Sequence, residues 1–148
     1  MYNRAYNKLV RVGSGLQSPL LLCLRLLWGF LFFMTGLGKF QDLSVVANYF
    51  TTLGIPLPEL NAFIVATCEM FGGLCLIFGI ASRLVALFLM AITAVAFATA
   101  EKVALLGFFH DPINFVMRTP FTFFLVSLTI FVFGPGYFSL DHRWKKEK

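Results

Sequence analysis

Apolar residues in this chain fall in long runs rather than in alternation. Leu20 to Lys39, Leu60 to Ala81 and Leu84 to about Ala100 each carry few ionisable side chains. At ~1.5 Å per residue the first run is about 30 Å long, which matches the hydrocarbon layer of a bilayer. A fourth run, Phe121 to Phe133, reaches spanning length only if Pro120 and its neighbours extend it over 120–134. Between the first two runs, Val45, Val46, Tyr49, Phe50 and Leu53 recur at helical spacing. That pattern predicts a short amphipathic helix lying in the interface. Gly54-Ile55-Pro56-Leu57-Pro58 then turns the chain, Ser82-Arg83 makes a tight turn, and Gly134-Pro135-Gly136 ends the last run. The expectation is one all-α domain over 1–148. It is an integral membrane four-helix bundle with a short interfacial helix between spans 1 and 2.

Composition supports this. Hydrophobic residues make up 59% and charged residues 13%, about half the charged share of a soluble domain. Residues 1–18 are polar and basic and read as a short tail or interfacial helix. The run from Pro19 to Gly38 lacks an A-x-A cleavage site, so it reads as a retained span rather than a signal peptide. Arg4, Lys8, Arg11, Arg83, Arg143, Lys145, Lys146 and Lys148 fall on one side of a four-span layout, against Lys39, Lys102 and Arg118 on the other. That bias places both termini in the cytoplasm. Basic tails of this kind set orientation and touch anionic lipid, and no nucleic-acid partner is expected. Cys23, Cys68 and Cys75 lie in apolar runs and read as small hydrophobes.

The chemistry sits inside the spans. Glu69 lies near the middle of the second, where an ionisable group costs ~2.5–3.5 kcal/mol even on the lenient insertion scale. Arg25, Gly29, Phe32, Gly36 and Lys39 share one stripe of the first span. Glu69, Gly73, Leu76 and Arg83 share a stripe of the second, beside Gly72. Glycines on both stripes let the two helices approach closely. Ala91, Ala94 and Ala98 give the third span a small-residue stripe. Counting depth along the helices predicts an Arg25–Glu69 pair inside the bundle, either neutralising two charges or lining a polar pocket. Lys39 and Arg83, at helix ends, fit snorkelling to headgroups. Glu101, His110 and Asp111 match no ligand spacing, so no metal is expected. His142, next to Asp141, reads as solvated. No nucleophile motif or phosphate loop is present.

The order of these features resembles the DoxX family. The residues are Arg25 with Trp28-Gly29, Thr35-Gly36-Leu37-Gly38-Lys39, Phe50 to Pro58, Glu69 with Gly72-Gly73, Gly79 with Arg83, and Gly134-Pro135-Gly136 with Ser139-Leu140-Asp141. The resemblance spans residues 17–141. It implies a small four-helix protein of the bacterial inner membrane. Relatives include quinol-oxidase and thiosulfate:quinone oxidoreductase subunits, and proteins of quinone or thiol stress. Many relatives carry a further polar residue where this chain has Arg118-Thr119-Pro120. Haem, flavin and iron–sulfur ligand patterns are absent, so electrons would come through a bound quinone or a partner.

Three functions follow as expectations. The first is a quinone-linked redox or stress-related membrane subunit with no catalytic motif of its own. Glu69 and Arg25 would be its catalytic pair, and Arg25, Trp28, Lys39, Glu69 and Arg83 would hold the ligand. The alternatives are a scaffold for a redox or biosynthetic partner protein, and a small transporter, which would need a homo-oligomer.

Overall fold

The computed structural model describes residues 2–146, all of whose regular structure is helical. The helices are α1 (Tyr2–Gln41), α2 (Leu43–Thr52), α3 (Pro58–Phe78), α4 (Ser82–Thr99), α5 (Lys102–Leu106), α6 (Pro112–Val116), α7 (Thr119–Phe133) and α8 (Leu140–Lys146). Three of them, α1, α3 and α4, are long and apolar enough to cross a membrane. The apolar helix α7 has 15 residues, about 22 Å at ~1.5 Å each.

The N-terminal segment is not a separate tail or helix. It continues α1, which has 40 residues and so runs about 60 Å, twice the hydrocarbon thickness. Pro19 lies within this helix. The carbonyl it fails to meet, that of Gly15, is on an exposed turn where solvent or headgroups can satisfy it. The amphipathic helix α2 forms where the spacing places it, capped by the Asp42 side chain on the Val45 amide. Pro120 starts α7 rather than preceding it, because proline's missing N–H costs nothing in a first turn. The third loop holds two short helices, α5 and α6, with Asp111 capping the second. Arg118 reaches Glu101 at 3.4 Å and closes this loop.

Helix α3 begins at Pro58 after a left-handed Leu57 and stops at Gly79, whose φ of 72° closes the last turn. The Gly79 and Ile80 amides both donate to the Cys75 carbonyl, at 2.8 and 2.9 Å. The second span therefore ends three residues before Ala81. Ala81 itself is left-handed, with φ 45°, and leads directly into α4.

Packing is antiparallel between α1 and α3 and between α4 and α7, with α3 against α4 joining the pairs. Glycine sets the first contact. A Cβ on Gly36 would stand 2.3 Å from the Met70 amide nitrogen, and one on Gly73 would stand 2.5 Å from the Gly29 carbonyl. Gly72 faces away from α1, toward Leu89 of α4. Phe32, Leu76, Leu89, Phe123, Val126 and Ile130 form the core. Phe32 and Phe123 meet edge to face, 4.5 Å between centroids. On α4 the expected small-residue stripe is not the packed face. Ala91, Ala94 and Ala98 are exposed, whereas Ala86, Leu89, Thr93 and Phe97 are buried. Volume decided this, since Leu and Phe fill the space between α3 and α7 that alanine would leave empty. Cys23 is exposed rather than buried, and all three thiols are free. Phe30, Phe63, Phe71, Phe78 and Phe88 also point outward, as a lipid-facing surface requires.

The glycine contact yields a paired test. Gly36→Ala should destabilise the protein by about 1–3 kcal/mol through overpacking. Gly38→Ala, with nothing within 4 Å of its Cβ, should be neutral or slightly stabilising. Thermal unfolding in detergent, followed by circular dichroism, reads both. Equal midpoints for the two variants would refute the close approach.

Candidate functional site

Arg25 and Glu69 do not pair. Arg25 is 1% exposed, and its donors go to backbone oxygens at the far end of α3 and beyond α7. Nε donates to Leu76 O at 2.8 Å and Nη2 to Ile77 O at 3.1 Å. Nη1 donates to Pro135 O at 2.6 Å and Phe138 O at 3.1 Å. Leu76 and Ile77 lie in the last turn of α3, where the carbonyls run out of i+4 partners and carry the negative end of the dipole, and Leu76 O also accepts from the Gly79 amide at 3.2 Å. One guanidinium thus joins α1, α3 and the turn after α7.

The ion pair is instead Lys39–Glu69, in direct contact through Nζ and Oε2. The register explains both outcomes. Gly29 faces Gly73, and Gly36 faces Ala66 and Met70. Helical side chains lean toward the N-terminus of their own helix. Lys39 therefore leans back along α1 toward the level of Glu69, and Glu69 leans along α3 toward Lys39. Arg25 leans the same way along α1 as Lys39, which carries it past the level of Gly73 to the C-terminal end of α3 and away from Glu69. Depth alone does not contain this direction.

A cavity of about 540 Å³ opens beside the Lys39–Glu69 pair. Its walls are Val46 and Phe50 of α2, Ile64 and Val65 of α3, and Ile92 and Val95 of α4. Tyr49, Asn61 and Thr99 add the few neutral polar groups. An apolar chamber with one charged pair in its wall suits an amphipathic ligand of drug-like size. The pair can offer such a ligand an N–H donor from Lys39 and an acceptor from Glu69. The cavity wall from α2 was hidden in the sequence, where the alternation of Val46, Tyr49 and Phe50 marks only an apolar face.

Of the five expected site residues, only Lys39 and Glu69 border this cavity. Arg25 sits fourteen residues from Lys39 on α1, about 20 Å along the axis. Trp28 packs against the core, and its indole N–H is buried without a partner. Arg83 is exposed on α4 and borders a second cavity at the opposite end of the molecule. Asp141, part of the sequence pattern but given no role there, has one in the structure. Its two oxygens accept the amides of Ala81 at 2.7 Å and Ser82 at 2.8 Å. It thereby caps α4 from outside the helix and holds the left-handed Ala81 in place. His142 is half-buried rather than solvated, its ring set edge-on to Tyr137 at 4.8 Å.

The Arg25 clamp carries its own prediction. Arg25→Gln should cost about 3–5 kcal/mol, because it leaves buried carbonyls unmet where water is scarce. Arg25→Lys should recover only part of this, since one ammonium cannot span the same acceptors. Chemical unfolding in mixed micelles measures the loss. Wild-type stability in both variants would remove the clamp from the account.

A protein of Bacillus subtilis (strain 168), described as "Putative oxidoreductase CatD", is 29% identical over 120 residues, covering 81% of this chain and 83% of the relative. No solved structure matches the chain. The DoxX family profile matches residues 20–102, a stretch that contains Arg25, Lys39, Glu69 and most of the cavity wall. The chain is a membrane protein that belongs to the DoxX family.

Proposed function

We propose that the chain is a quinone-linked redox subunit of the bacterial inner membrane. In this reading the four apolar helices cross the bilayer, both termini are cytoplasmic, and the ligand head group sits at Lys39 and Glu69. The observation that carries it is the placement of a single carboxylate–ammonium pair in the wall of an otherwise apolar chamber. The likeness to a relative whose name includes "oxidoreductase" supports the same direction.

Quinone chemistry couples two electrons to two protons. Lys39 would donate a hydrogen bond to a ring oxygen and stabilise the negative charge that reduction places there. In the oxidising direction, Glu69 would accept a proton from a ring hydroxyl. Tyr49 and Phe50 would pack on the ring, and the aliphatic walls on α3 and α4 would take the start of the tail. In this reading a partner protein supplies or accepts the electrons. Arg25 serves this reading only by fixing how α1 and α3 sit against each other.

Protein extracted from its native membrane in mild detergent should carry isoprenoid quinone, identified by mass spectrometry. Glu69→Gln should weaken quinone binding about tenfold, a change worth ~1.4 kcal/mol. Ala96→Phe, which fills the chamber without touching the ion pair, should remove the quinone while Lys39 and Glu69 remain. Wild-type protein with no more quinone than an unrelated membrane protein would refute the proposal, and would leave a scaffold role as the better reading.

A further inference from the structure

The second cavity, about 680 Å³, lies where the start of α4 meets the turn between α7 and α8. Its wall includes Arg83, and the guanidinium there is underused. Among the described residues its one hydrogen bond is a 3.4 Å contact from Nη2 to Val132 O. No carboxylate oxygen lies within 4.0 Å of it among the described residues. Asp141 borders the same cavity, but both of its oxygens are taken by the amides of Ala81 and Ser82. Its charge is met by those donors and by the positive end of the α4 dipole.

The remaining lining is mixed: Gln17 and His142 are polar, and Leu21, Leu84 and Phe133 are apolar. Tyr137 and Trp144 also line the cavity and are 69% and 56% exposed, the aromatic character found at headgroup level. A free phosphate needs the guanidinium but neither the volume nor the apolar wall. A phospholipid uses all three.

We propose that this cavity binds an anionic phospholipid, with its phosphate on Arg83 and an acyl chain along Leu21, Leu84 and Phe133. The site is independent of what fills the cavity at Lys39 and Glu69. Clefts with an unpaired cation between membrane helices recognise such headgroups, and arginine is the side chain whose fork fits phosphate oxygens. Because Arg83 makes a single long hydrogen bond among the described residues, changing it removes no more than that contact to Val132 O.

The test uses the full chain in lipid nanodiscs containing phosphatidylglycerol and phosphatidylethanolamine, with retained lipid counted by native mass spectrometry. Wild type should favour phosphatidylglycerol at least fivefold. Arg83→Gln should bring that ratio near one, and Arg83→Lys should fall between. Arg11→Gln, an equal loss of charge on an exposed part of α1, should leave the ratio unchanged. On wild type alone, phosphatidylglycerol but not phosphatidylethanolamine should slow amide exchange at residues 81–84 and 134–144. Equal loss in Arg11→Gln and Arg83→Gln would overturn the site in favour of diffuse attraction. Release of the lipid by millimolar inorganic phosphate would overturn the lipid assignment in favour of a soluble anion. An unchanged ratio in Arg83→Gln, or no exchange footprint, would overturn both.

Discussion

Buried backbone oxygens need donors, and the Arg25 guanidinium, itself 1% exposed, supplies them to two parts of the chain at once. It takes carbonyls from the last turn of α3 and from the turn that follows α7. Each such bond to a charged donor is worth ~1.5–3 kcal/mol net. The larger effect is negative: without the arginine, carbonyls would be left facing an apolar interior, although that of Leu76 would keep the Gly79 amide at 3.2 Å. The left-handed Gly79 and the bend at Gly134 to Gly136 are arranged so that these oxygens converge. A side chain on Gly79 would collide with the guanidinium itself, 2.6 Å from Nη2.

The two ends of the α1–α3 pair consequently have different tasks. At one end a cation is consumed by the backbone. At the other, Lys39 and Glu69 neutralise each other and still border an open chamber. Between them the backbones touch at Gly29, Gly36 and Gly73, leaving little freedom for the helices to slide. The register fixed at Arg25 thus determines which residues of α3 Lys39 can meet.

Much of this organisation was legible in the residue pattern. Run lengths and turn residues placed α2, α3, α4 and α7 to within a few positions, because apolar length and glycine or proline breaks are local signals. The stripes at Arg25–Lys39 and at Glu69, Gly73 and Leu76 marked the contact between α1 and α3, whereas Arg83, expected on that second stripe, lies on α4 beyond the end of α3. Partner choice within that contact was not legible, because it depends on the lean of side chains and on a register set by three glycines. Asp141 was obscure for a related reason: it caps a helix sixty positions earlier in the chain, and no local spacing encodes that meeting. The chamber wall from α2 also arises only when two distant segments fold over each other.

The Asp141 cap and the Arg25 clamp share a feature with a temporal meaning. Pro135 follows Arg25 by 110 positions, and Asp141 lies later still. At ~5–20 residues per second, the ribosome needs on the order of 5–20 s to add the acceptors that complete the arginine's shell. Through that interval the nascent hairpin of α1 and α3 carries a cation with only half its oxygens in reach. Synthesis of residues 135–141 is therefore also the step that locks much earlier parts of the chain in place.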